Sequence, residues 1–195
     1  TNFVMLVREN FETSSRTNWR HYATSPFLPF DLWHLSTAEP APHTNGIAYL
    51  RDRTTSTSFR VASDPSGTNV LATYSVGSAL ACALESPVLN ATNTLSLFVS
   101  WNEFFATEAN VDFVSVQARG GPNTNWFLVS TAASGQSTGL VRRTANLSTF
   151  ANFTNVQVRF FFNALNAVNN NFAGWYVDDV AVYDGATIRG WVRDI

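Results

Sequence analysis

Strict two-residue alternation is the feature that most restricts this chain. Leu95, Leu97, Val99 and Trp101 alternate with Ser96, Phe98 and Ser100. Val114, Val116 and Ala118 alternate with Ser115 and Gln117, and Val156, Val158, Phe160 and Phe162 with Gln157, Arg159 and Phe161. Successive side chains of a strand point to opposite faces, so each run predicts a strand with one face buried. Further strand-like segments are Phe3–Arg8, Ile47–Arg51, Ser58–Ala62, Val70–Thr73, Trp126–Thr131 and Trp175–Tyr183. Turn-forming residues separate them at 63–67, 120–123 and 134–137. The alanines of Ser78–Glu85 suit a helix, but its leucines and Cys82 recur at period two, which favours a strand. No run supports an amphipathic helix of about 12 residues or more. About ten short strands divided by turns predict an all-β sandwich or barrel.

The chain is 195 residues long, a length that suits one large β domain, so 1–195 is read as a single unit. Sixteen Phe and six Trp supply a core that needs no disulfide, and Cys82, the one cysteine, reads as a small buried hydrophobe. Charged residues make up 13%, about half the usual share, so Ser, Thr, Asn, Gln and Gly must cover the surface. Such a neutral polar surface points outside the cell. All basic residues are Arg and they form no stripe, which argues against a nucleic-acid partner. No stretch approaches the roughly 20 apolar residues of a membrane span. The chain opens on Thr1 with no signal-peptide pattern, which reads as a processed, exported chain at the cell surface or beyond.

Several segments, taken in order, resemble one family. They are Asn10-Phe11-Glu12, then Trp33-His34 with Gly46-Ile47-Ala48-Tyr49-Leu50, then Leu84-Glu85-Ser86-Pro87. Asp112-Phe113-Val114-Ser115-Val116 with Gly120-Gly121 and Trp126 follows, and Asn146-Leu147-Ser148-Thr149-Phe150 comes before Val156–Phe160. Gly174-Trp175-Tyr176-Val177-Asp178-Asp179-Val180 is the strongest of them. This ordered set is similar to MAM-like jelly-roll domains, particularly the bacterial choice-of-anchor J type, over about residues 9–183. The cysteines of eukaryotic MAM domains are absent, and Asn146 stands where the family has Asp. The resemblance implies an antiparallel two-sheet jelly-roll sandwich on exported proteins with adhesion or recognition roles. It names no ligand, since one fold hosts many functions.

The same resemblance implies a structural calcium ion tying the first strand to the last. Glu12 and Asp178 or Asp179 match its positions, and Asp52 is a further candidate ligand. Adjacent strand residues face opposite ways, so only one of the two aspartates turns inward unless a bulge intervenes. Trp33, Trp101, Trp126 and Trp175 fall on the family's structural positions or on inward alternation. Trp19, Tyr22 and Trp191 have no such explanation and are candidates for a sugar-stacking surface. Asn90, Asn146 and Asn152 begin N-glycosylation sequons.

No H-E-x-x-H, G-x-S-x-G, P-loop or C-x-x-C motif is present, and His21, His34 and His43 are not spaced for catalysis. Glu103 and Glu108 are the one pair worth testing as opposed catalytic acids. Three readings follow. The first is a non-catalytic structural or adhesive protein, with a self-assembling filament subunit as one form of it; the terminal strands (Thr1–Val7 and Ile188–Ile195) either cap their own sheet or add to a neighbour's. The second is a carbohydrate-binding module, and the third, distant one is a glycoside hydrolase. They differ in what they require of the structure: terminal edges, exposed aromatics, or facing acids.

Overall fold

The computed structural model describes residues 4–11, 18–36, 58–63, 68 and 71–185. Eleven strands occupy them: β1 Met5–Glu9, β2 Arg20–Ala23, β3 Trp33–Ser36, β4 Ser58–Val61, β5 Leu80–Glu85 and β6 Leu97–Ala106, then β7 Asp112–Gly120, β8 Asn123–Leu128, β9 Val141–Asn146, β10 Gln157–Ala164 and β11 Gly174–Asp184. All pairings are antiparallel. One sheet runs β3-β4-β11-β6-β9, with β1 also on β11; the other runs β2-β5-β10-β7-β8. The two pack face to face as a jelly-roll sandwich, the form the resemblance implies and one of the two that the alternation allows.

The three alternating runs form β6, β7 and β10, and their even-spaced apolar residues fill the space between the sheets. Val158, Phe160 and Phe162 are fully buried, and Gln157, Arg159, Phe161 and Asn163 on the opposite face are not. Phe160 sits at the centre, with its ring centroid 5.8 Å from Trp101 and 5.7 Å from Trp175. Trp33 closes the same layer 5.5 Å from Trp175. β5 is a strand and is buried along its whole length, with Cys82 inside, where burial pushes its thiol pKa up. Gly174 opens β11 at φ +84°, where a Cβ would overlap the Val61 carbonyl oxygen. Only glycine fits that close crossing.

The structure adjusts several expectations. Leu95 is 76% exposed, because β6 and its inward alternation begin at Leu97. Residues 71–73 are not a strand; the Thr73 carbonyl instead accepts the Ser63 N–H at 2.7 Å. β8 starts at Asn123 and ends at Leu128, short of Thr131. β2, β3 and β9 are short edge strands that show no inside-outside alternation, so no strand was expected there. β9 buries only Ala145, and β2 buries none of its four residues. Their order comes from pairing with neighbours, not from their own pattern. Ile47–Arg51 lies outside the described residues.

The N-terminal strand is also assigned. β1 pairs with β11 of its own chain, from Met5 against Tyr183 to Glu9 against Val180, so on that side its backbone groups are spent within the subunit. For Met5–Val7 this is the within-subunit pairing, one of the two alternatives the sequence leaves open. Ile188–Ile195 lies outside the described residues. No helix among the described residues is long and apolar enough to cross a membrane.

Candidate functional site

The outward positions of the five-stranded sheet line up in rows fixed by strand register. One row places Arg20, Glu85, Arg159, Gln117 and Leu128 side by side across β2, β5, β10, β7 and β8. The next places Tyr22, Ala83, Phe161 and Ser115 together. Gln157 pairs with Arg119 on one flank, and Ala81, Asn163 and Phe113 make a row on the other. One half of this face is therefore arginine, glutamine and glutamate. The other half is aromatic rings standing beside alanine and serine.

Glu85 organises the polar half. It is 0% exposed, yet its strand neighbours bring four partners to it. Its Oε1 accepts from Arg20 Nε at 3.0 Å and Nη2 at 2.6 Å, from Gln157 Nε2 at 2.7 Å and from Arg119 Nη2 at 3.4 Å. Its Oε2 accepts the Tyr22 hydroxyl at 2.7 Å. Burial and this bond push the Tyr22 phenol above its ordinary pKa. The glutamines extend the lattice. Gln157 Oε1 accepts Arg119 Nε and Nη2 at 3.1 and 2.8 Å, and Gln117 Oε1 accepts Arg159 Nε and Nη2 at 2.8 and 2.6 Å. Above them lies Trp126, half-buried on β8, with the guanidinium carbons of Arg119 and Arg159 each 4.4 Å from its ring centroid. Arg159 also lies over Phe161 at 5.0 Å, and Arg20 over Tyr22 at 5.3 Å. Such contacts hold side chains that would otherwise sample many rotamers. The result is a surface of partly exposed rings and arginine side chains held against one another.

Of the sequence-predicted stacking residues, Tyr22 is on this face. Trp19 is not; it is only 6% exposed, set edge-on to Phe11 at 5.5 Å and near Phe160 at 6.3 Å, so it belongs to the core. Trp191 lies outside the described residues. Trp126, expected to be structural, is instead a surface residue of the site. The signal for this face was present in the alternation: Gln157, Arg159 and Phe161 are the out-facing partners of a buried run.

A second opening lies along the side of the sandwich between the edge strands β8 and β9. It joins a cavity of about 430 Å³ over Trp101, Glu103, Arg143 and Trp175 to one of about 550 Å³ beside Phe127, Phe150 and Phe153, with Val129 and Asn146 common to both. Glu103 points inward here. Its Oε2 accepts Trp101 Nε1 at 2.8 Å and Trp175 Nε1 at 3.0 Å, and its Oε1 accepts Arg143 Nε at 3.1 Å. Glu108 does not share this cavity. It lies in the β6–β7 turn, with Oε1 accepting from Asn169 at 3.1 Å. The opposition across a cleft that the distant hydrolase reading requires of these two acids is not found: one faces the sandwich interior and the other lies in a turn.

Asp178 and Asp179 sit where β11 breaks register with β6, between Asp178 and Ala181. Asp179 takes φ +48°, its Oδ2 accepts Asn102 Nδ2 at 2.8 Å, and its own N–H donates to Asp178 Oδ1 at 2.7 Å. The bulge frees the pair from strict alternation. Glu12 and Asp52 lie outside the described residues, and among the described residues no three acidic, histidine or cysteine side chains cluster as a metal site would. Asn90, Asn146 and Asn152 are all exposed. Each side-chain oxygen accepts a backbone N–H, from Thr92, Ser148 and Asn93 respectively.

No family model matches the chain, and no curated protein does. Solved structures do match. TmCBM61, solved with β-1,4-galactotriose, is 11% identical over 90% of this chain and 94% of its own, with a TM-score of 0.52. The CBM22-1–GH10 modules of the Clostridium thermocellum endo-1,4-β-D-xylanase 10B, solved with xylohexaose, are 7% identical over 94% of this chain and 29% of theirs, with a TM-score of 0.50. The CBM22-1 xylan-binding domain of Paenibacillus barcinonensis Xyn10C is 10% identical over 94% of this chain and 96% of its own, with a TM-score of 0.49. At these identities the first two likenesses establish the sandwich fold.

Proposed function

We propose that this chain is a glycan-binding module of an exported protein, acting through the outer face of its five-stranded sheet and not through catalysis. One observation carries this reading: on that face, partly exposed Tyr22, Phe161 and Trp126 flank a lattice of arginine and glutamine donors held by buried Glu85. A sugar ring has apolar C–H faces and a rim of hydroxyl oxygens. Binding surfaces for such molecules combine aromatic area with a few fixed polar groups. The two fold neighbours with TM-scores of 0.50 and 0.52 were solved with xylohexaose and β-1,4-galactotriose, which supports the reading.

The MAM-like kinship and a place outside the cell or on its surface belong to the same proposal, since glycan recognition is one way such a domain adheres. The filament reading is set behind it, because β1 completes its own sheet. The experiment is a panel of soluble plant, algal and bacterial polysaccharides run in affinity gels and followed by calorimetry. Trp126→Ala and Phe161→Ala are each expected to weaken the best ligand at least about tenfold, as loss of a central aromatic contact does. Retention of full affinity by both variants removes this face from the reading.

A further inference from the structure

Resting on that glycan-binding reading, we infer that the glycan bound on this face is anionic, a polysaccharide carrying carboxylate or sulfate groups. The chain as a whole is acidic, with a net charge of −2. The outer face runs against that balance. Arg20, Arg119 and Arg159 gather on it, and Glu85 is the one carboxylate at the outward positions of these five strands. Glu85 is fully buried and both its oxygens are occupied, so it presents no negative edge to solvent.

The three guanidiniums are arranged alike. Each spends its Nε and Nη2 on an acceptor of the sheet: Arg20 on Glu85, Arg119 on Gln157, Arg159 on Gln117. Arg20 and Arg119 have no Nη1 bond to a protein acceptor among the described residues, whereas Arg159 also meets the Tyr22 hydroxyl. The amides of Gln157 and Gln117 orient Arg119 and Arg159 without cancelling charge, and the one carboxylate, Glu85, is shared among the three arginines. A surface built only to satisfy arginines would pair them with carboxylates. Here three cations share one buried carboxylate, so the face keeps a positive excess.

Arg119 and Arg159 moreover share one indole, each guanidinium carbon 4.4 Å from the Trp126 centroid. Holding like charges together opposes folding and is relieved by an anion. Burial and this neighbour both lower the Arg159 pKa, though arginine keeps its proton at any ordinary pH. An acidic sugar supplies apolar area for the aromatics and an oxyanion for the Nη1 donors of Arg20 and Arg119, a charge-assisted match that guanidinium makes well. A neutral glycan fills only the first role.

The test compares polygalacturonate (carboxylated), dextran sulfate, and neutral galactan and xylan at about 0.05 and 0.5 M NaCl, with the intact chain and with Arg20→Gln and Arg119→Gln. Polygalacturonate or dextran sulfate is expected to bind at least tenfold more tightly than either neutral glycan, and to weaken on the order of tenfold at the higher salt, where screening shortens to a few ångströms. The arm that binds identifies the anion. Each variant, checked for folding by its melting curve, is expected to lose about tenfold on the acidic ligand and little on the neutral ones. The salt series on the unaltered chain carries the same information if a variant fails to fold. Equal or tighter, salt-insensitive binding of galactan or xylan overturns the anionic inference and leaves the glycan-binding reading standing. Failure of every glycan sinks that reading with it. A single-stranded DNA oligomer that binds as tightly as the acidic glycans also overturns the inference, since the face would then select charge alone.

Discussion

Glu85 is the residue whose removal tests the site most directly. It is a fully buried carboxylate whose partners are only partly buried: the Arg20 side chain is 64% exposed and that of Arg119 is 26% exposed. The Arg20 contact is therefore worth under about 1 kcal/mol despite its 2.6 Å length, because water and salt screen it. The bonds from Gln157 and Tyr22 go to a charged acceptor and are worth about 1.5 kcal/mol or more each. Glu85→Gln keeps the shape and one oxygen, so Gln157 retains an acceptor, and the Tyr22 hydroxyl can turn to accept from the new amide. What it loses is the charge opposing three arginines, which costs about 2 kcal/mol. Glu85→Ala strips every partner at once and leaves buried donors unmet, at about 3–5 kcal/mol. In a chain of this size each kcal/mol moves the melting temperature by about 2–4 °C. The expected losses are about 4–8 °C for Gln and about 6–20 °C for Ala. Urea unfolding gives the free energies, and double-mutant cycles with Arg20→Gln and Arg119→Gln give the pairwise terms. A Glu85→Gln protein within about 0.5 kcal/mol of the parent would mean that the carboxylate organises nothing, and the lattice argument would fall.

Three further outcomes are expected. Gly174→Ala puts a Cβ against the Val61 carbonyl at a positive φ, and should cost more than about 2 kcal/mol by urea unfolding; an unchanged midpoint would refute the close crossing. The His21 pKa is raised by its hydrogen bond to Asp31, Nδ1 to Oδ2 at 2.6 Å, with burial opposing, so His21 stabilises the fold most at pH below its ordinary value of 6.5 and that contribution fades as pH rises through the folded value; Asp31→Asn should flatten the pH 5–8 stability profile, and an identical profile would exclude the pair. We propose that calcium bound at Asp178, Asp179, Glu12 and Asp52 ties the ends of the fold together. Added calcium should then raise the melting temperature and chelator lower it, with Asp178→Asn removing the response; a temperature indifferent to both counts against the ion.

Strands whose two faces differ were legible in the sequence, because side-chain direction follows position alone within a strand. Val114, Val116 and Ala118, or Val158, Phe160 and Phe162, announce a core without reference to anything distant. The same locality explains what was missed. β2 and β9 sit at sheet edges and bury little, so no alternation marks them. Trp19 and Trp126 are single aromatics with no period around them. Their places are exchanged relative to expectation because Phe11 and Phe160 enclose one, while Arg119 and Arg159 hold the other on the surface.

The sequence by itself determined that this chain is an all-β sandwich with an aromatic core and a surface poor in charge. Only the tertiary structure decided where the sparse charges gather. Arg20, Glu85, Arg119, Trp126 and Arg159 come from five strands, and apart from Arg119 and Trp126 on one hairpin they lie far apart along the chain. Strand order and register bring them into adjacent rows, and register is set by which residues the opposite face must bury. The core thus positions the site: each residue facing inward fixes where its neighbours stand on the outer face.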